Sequence, residues 1–250
     1  METRFSFGQL AAIAFVLLLS FSATAQTRNI VIVHGAFADA SGFEAVYQIL
    51  KKDGYNVTLV QNPLTSLEDD VAATNRALDK QDGPVVLVGH SWGGTVITQA
   101  GISPKVASLV YLNAFVPDAG ESTVNVIQSA PMLAKSGVIP PDANGIAYFD
   151  KALFHELFAG DLSAAKAAFM ADSQQPIAAA CFGAVVTQAA WKTKPAYAVV
   201  GTQDKAINPV LERSMYKRAG AVVTEINGSH VLYISQPQAV ARVIEAAAKK

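Results

Sequence analysis

Charge is scarce in this chain. Only 16% of its 250 residues are Asp, Glu, Lys or Arg, and 19 basic against 20 acidic side chains leave a formal net charge of −1. Proteins that hold nucleic acid neutralise phosphates with a basic surface, so this balance excludes a nucleic-acid partner. Cysteine is scarcer still. The single Cys181 rules out an internal disulfide, and with no histidine near it in sequence it reads as a small buried hydrophobe. The four histidines include no pair at metal-ligand spacing. No G-x-G-x-x-G follows a strand, which removes a Rossmann dinucleotide site. The expected chemistry therefore uses no metal and no cofactor.

Apolar residues, by contrast, make up 51% of the chain. The first concentration of them, residues 10–21 (LAAIAFVLLLSF), is followed by Ala23-Thr24-Ala25. A short apolar core ending in small residues predicts a secretory signal peptide over residues 1–25, cleaved after Ala25, and hence a periplasmic or secreted protein. The run is too short to span a bilayer comfortably, so no stable membrane anchor is expected once it is removed. Arg4 is offset by Glu2, which weakens the basic leader and leaves an uncleaved anchor as the alternative.

After the leader, short apolar runs alternate with segments of helical period. Strands are predicted over residues 28–33, 55–60, 85–88, 106–112, 196–200 and 221–226, and helices over 41–52, 66–80, 209–219 and 237–250. Runs of apolar β-branched residues without alternation are buried on both faces, so the expected fold is α/β: a mostly parallel sheet of about six strands with helices on both sides. The alternation breaks over residues 118–194, where alanine, phenylalanine and isolated prolines predict a helical cap with helices at 149–158, 163–171 and 175–191. The sheet-bearing core would then comprise residues 26–117 and 195–250.

The most informative run is Val85-Val86-Leu87-Val88-Gly89-His90-Ser91-Trp92-Gly93-Gly94. An apolar strand that stops in G-x-S-x-G and continues into a helix is a nucleophile elbow: the turn lifts Ser91 out of the sheet, and the helix aims unpaired N–H groups at the reacting oxygen. Ser91 needs a base. His34 belongs to the loop after the first strand, His90 shares the serine's own turn, and His155 lies in the insertion; His230, after the last strand, remains. The base needs a carboxylate to orient it. Asp204, directly after the strand at 196–200, is favoured, with Asp118 as the rival acid. Donors for an oxyanion are expected from the Trp92 backbone N–H and from the loop His34-Gly35-Ala36-Phe37, with Ala36 favoured over Phe37.

These segments together resemble the α/β-hydrolase superfamily. The likeness rests on the His-Gly loop at 34–37, the Gly-His-Ser-x-Gly-Gly elbow at 89–94, the Gly-x-x-Asp turn at 201–204 and the Gly-Ser-His at 228–230. It is similar to the small capped branch that includes plant methyl esterases, hydroxynitrile lyases and bacterial esterases. Dehalogenases and epoxide hydrolases of that fold use an aspartate nucleophile, so serine at 91 implies acyl transfer from an ester, thioester, lactone or amide. The expected partner is a small, fairly apolar carboxylic ester. Two alternatives stay open: a cyanohydrin or carbon–carbon lyase on the same triad, favoured by a lysine aimed into the pocket, and a small-molecule receptor with vestigial hydrolysis.

The leader makes a direct prediction. Edman or mass-spectrometric sequencing of the exported protein is expected to begin at Gln26, and an intact Met1 in the mature protein would overturn cleavage.

Overall fold

The computed structural model describes residues 27–131 and 133–249, so the expected leader lies outside the described residues. The chain forms β1 (Asn29–Val33), α1 (Glu44–Lys52), β2 (Asn56–Val60), α2 (Leu67–Asp79), β3 (Val85–Ser91), α3 (Trp92–Ala100) and β4 (Val106–Ala114). There follow α4 (Thr123–Gln128), β5 (Ile146–Ala147), α5 (Lys151–Leu157), α6 (Ala164–Asp172), β6 (Ile177–Ala178) and α7 (Ala180–Gly183). It closes with β7 (Ala196–Gly201), α8 (Pro209–Arg218), β8 (Val222–Ile226), α9 (Leu232–Ser235) and α10 (Pro237–Ala248).

Among the described residues, the main sheet has six strands in the order β2-β1-β3-β4-β7-β8, all parallel. Every residue of β1 and β3 is buried, as expected of strands covered on both faces. On one side α10 packs over β3, β4 and β7 beside α1, which covers β2, while α2 and α3 pack together against β1 and its neighbours β2 and β3. The strand order reverses between β1 and β3. One connection leaves toward β2 and the other toward β4, so their loops part above the carboxyl ends of the strands and leave a crevice there.

The segment between β4 and β7 lies over that crevice. Helices form where the 118–194 stretch predicts them at α5 and α6, each started by a side-chain cap, Asp150 to the Ala152 N–H and Ser163 to the Lys166 N–H. Residues 175–191 depart from the expected helix. They form β6, which pairs antiparallel with β5, then the single turn of α7 and a 3-10 turn at Ala190–Lys192. The physical reason is competition for backbone groups. Ala178 N–H donates to the Leu64 carbonyl and Ala179 N–H to that of Gly145, both at 2.9 Å, while the Gln175 carbonyl accepts from Phe37 N–H at 3.0 Å. Pro176, which has no N–H of its own, sits among them.

Candidate active site

Ser91 occupies the junction of β3 and α3 with φ 53° and ψ −121°. A non-glycine residue in this region is strained by ~1–3 kcal/mol, and only tight surroundings hold it there. The surroundings are backbone. A Cβ on Gly89 would meet the Gly93 carbonyl oxygen at 2.5 Å, and one on Gly93 would meet the Val33 carbonyl oxygen at 2.5 Å. One on Gly35 would come within 2.6 Å of the Ser91 Cβ. Three glycines thus let β1's loop, the strand and the helix close around one serine.

His34 ties that loop down. Its Nε2 accepts from the Asn62 N–H at 2.9 Å, which leaves the proton on Nδ1, 2.8 Å from the Gly35 carbonyl. Burial holds this imidazole below its usual range, so it is neutral and structural. Within the loop, Phe37 N–H is engaged by the Gln175 carbonyl, whereas Ala36 N–H has no acceptor among the described residues. Trp92 is the first residue of α3, where helical N–H groups have no acceptor within the helix. Its indole donates to the buried Asp70 carboxylate at 2.7 Å, and Asp70 also accepts from Leu64 N–H at 2.8 Å.

His230 lies in the turn after β8 and is 1% exposed. Its Nδ1 is 2.6 Å from Asp204 Oδ2, and Asp204 Oδ1 accepts from the N–H groups of Ala206 and Ile207 at 2.7 and 2.9 Å. The structure therefore brings Asp204 to the histidine. It does not bring Asp118, which forms a partly exposed ion pair with Lys192 at 2.6 Å. The backbone carbonyl of His230 accepts from Asn113 Nδ2 at 3.2 Å and faces His90 Nε2 at 3.0 Å. A carbonyl only accepts, so His90 carries its proton on Nε2. Burial, with His230 beside it, keeps His90 well below the ordinary histidine range.

Ser91, His230 and Ala36 line one cavity of about 290 Å³. Its walls include Phe37, Phe149, Phe158, Phe182, Ile207 and Leu211. Phe154 packs behind the wall against Phe149 and Phe158, and Phe169 is 65% exposed. Tyr148 and His155 do not line the cavity.

Sequence reasoning misses Asn113. It has φ 42°, and its amide joins three segments, donating to the carbonyls of Ser229 and His230 and accepting from the Gly201 N–H at 2.7 Å. A polar residue ending an otherwise apolar strand is the only trace of this role in the sequence.

Comparison with known proteins matches residues 30–243 to the model of a family described as the alpha/beta hydrolase family. A carbendazim hydrolyzing esterase of Nocardioides sp. (strain SG-4G) is 29% identical over 177 residues, covering 65% of each chain. The putative methylesterase 11, chloroplastic, of Arabidopsis thaliana is 24% identical over 250 residues, covering 88% of this chain and 63% of that one. The chain spans just under two thirds of the length of these curated relatives. A solved pyrethroid hydrolase from Sphingobium faniae JZ-2 shares the fold, with a TM-score of 0.73 at 21% identity over 88% of this chain and 96% of that one.

A second acid lies beneath the first. Glu212, on α8, is fully buried, and neither of its carboxyl oxygens has a hydrogen-bond partner among the described residues. Burial, reinforced by the charge of Asp204 and only partly opposed by Arg213, raises its pKa well above the glutamate range. In the unfolded chain it ionises near pH ~4.3, so above that pH folding takes up a proton and stability falls by up to ~1.4 kcal/mol per pH unit. Glu212→Gln removes this term. Its stability advantage over the wild type in urea unfolding is expected to be absent near pH 4 and to grow toward pH 7; a difference that stays constant over that range would refute a neutral Glu212.

Proposed function

Because the chain belongs to the alpha/beta hydrolase family, we propose that it is an exported serine hydrolase that cleaves small, fairly apolar carboxylic esters through an acyl-enzyme. The observation that carries this reading is the meeting of Ser91 and His230 in one apolar cavity, with Nδ1 of the histidine bound to buried Asp204. Asp204 accepts a hydrogen bond from Nδ1–H, which fixes the proton on that nitrogen and leaves Nε2 free as the base. Nε2 takes the Ser91 proton as Oγ attacks the ester carbonyl. The N–H groups of Trp92 and Ala36 receive the developing oxyanion, where one such donor is worth ~10²–10³ in rate. The imidazolium returns its proton to the departing alcohol. Water, activated by the same base, then releases the acid from Ser91.

The names of the relatives, an esterase and a methylesterase, support an ester as substrate. Export is supported by the apolar run at residues 10–21 and Ala23-Thr24-Ala25. No helix among the described residues is long and apolar enough to cross a membrane.

A second reading, cyanohydrin or carbon–carbon cleavage on the same triad, draws support from Lys205. This lysine lines the cavity and has no ion-pair partner among the described residues. Lys135 lines it too but is paired with Glu156 at 3.3 Å. No carboxylate lies on the described wall.

Short-chain p-nitrophenyl esters and a serine-directed phosphonate test the main reading. Wild type is expected to turn over the esters and to be labelled at Ser91, and Ser91→Ala to lose ~10⁴-fold or more in kcat. A folded wild type that neither turns over nor labels, yet releases aldehyde from cyanohydrins, would replace the esterase by the lyase. The lysines add an expectation about charge. Between matched esters, one with a distal carboxylate should exceed one with a distal ammonium by ~3–10-fold in kcat/KM at low salt, the gap narrowing as salt rises. A preference for the cationic ester would refute it.

A further inference from the structure

His230 is held from the core side by Asp204 at its ring and by Asn113 and His90 at its carbonyl. Another grip comes from the overlying segment. Asp161 lies in the turn after α5, and its Oδ2 accepts from the Ser229 N–H at 2.8 Å and from the Ser235 hydroxyl at 2.6 Å. Its Oδ1 accepts from the Ser229 hydroxyl at 2.5 Å. Ser229 immediately precedes His230, and Ser235 ends the helix that follows it. A single carboxylate therefore clasps the base loop on both sides of the histidine. A Cβ on Gly228 would stand 3.1 Å from Asp161 Oδ2, so the loop is pressed close to it.

No lysine or arginine pairs with Asp161 among the described residues. Burial opposes ionisation of this carboxyl, but the donors from Ser229 and Ser235 outweigh burial and hold it below the usual aspartate range. It is an anion stabilised by aimed dipoles, its own backbone N–H and the Ser229 and Ser235 donors of the base loop. Three residues earlier on the same turn, Phe158 lines the cavity and packs its ring against His230 at 4.8 Å between centroids. One short stretch thus supplies both a wall for the substrate and a clasp for the base.

We propose that Asp161 is a positioning residue that couples the seating of the cavity wall to the placement of His230, an inference that rests on His230 acting as the base. Displacing the 158–161 stretch releases the loop, and the imidazole loses its aim at Ser91 while Asp204 stays in place. The effect belongs to the reaction step more than to binding.

Asp161→Asn, close to isosteric but with an amide NH₂ facing one of the donors, tests this together with Ser235→Ala, which removes one donor alone. Asp161→Asn is expected to lower kcat by ~10–100-fold with little change in KM, and Ser235→Ala to lower it by a few-fold. Phosphonate labelling of Ser91 should slow in parallel. The downfield proton resonance of His230 Nδ1–H, bonded to Asp204, should broaden or shift in both variants while the rest of the spectrum stays folded. Unchanged kcat and an unchanged resonance, or a loss confined to KM, would overturn the proposal. If Asp161→Asn does not fold, Ser235→Ala carries the same comparison. The resonance also separates the two ideas: a wild type without ester turnover defeats the esterase reading, while the histidine proton still reports whether Asp161 holds the ring.

Discussion

The backbone of one residue, Ser91, sets the conditions for everything around it. A serine at φ 53° between a buried strand and a helix survives only where other backbone prevents relaxation. That backbone must approach more closely than any side chain allows, which is why glycine stands at 35, 89 and 93. Those close approaches in turn require β1, β3 and α3 to keep a fixed register. The sheet, buried on both faces, supplies it, with β1 and β3 paired in parallel from Asn29 opposite Val85 to Val33 opposite Gly89. Strain at the serine and rigidity of the sheet are two sides of the same constraint.

Around the elbow, buried polar groups are kept neutral by burial or met by directed dipoles far more than they are paired with opposite charges. His34 and His90 are kept neutral by burial, Glu212 is kept protonated, and Asp70 takes an indole and a backbone N–H. A buried anion needs aimed donors or a paired cation, and this interior uses donors. The choice suits a chain that carries so few charges. Among the described residues the ion pairs, His230–Asp204 apart, lie on side chains open to solvent, such as Lys151–Asp172 and Arg213–Glu225. Pairs of that kind contribute little to stability.

Much of the architecture is legible in the residue pattern because it rests on local signals. Continuous runs such as residues 29–33 and 85–88 have no polar face to offer water, and Ser66 caps α2 by accepting from the Asp69 N–H. Other features depend on contacts distant in sequence. Asp204 and Asp118 both follow strands, and only the folded chain decides that the first meets His230 while the second meets Lys192. Asn113 looks like an ordinary turn residue until β7 and the base loop are brought to its amide. Residues 175–191 have helical composition, yet their backbone is captured by segments distant in sequence, two of them more than a hundred residues upstream, as Ala178 is by Leu64.

The cavity draws Ser91 and His230 and most of its aromatic wall from different parts of the chain. Ser91 ends β3 and His230 follows β8, while Phe149, Phe158 and Phe182 come from the stretch between β4 and β7. Such separation makes the molecule modular under recombination: exchanging that stretch with a homologue's would exchange most of the aromatic wall while leaving the Ser91, His230 and Asp204 arrangement in place. The seam is not entirely clean. Because the carboxylate of Asp161 is bonded to Ser229 and Ser235, a chimera inherits a working junction only if its donor brings an acid at that point, or its recipient drops the two serines that need one.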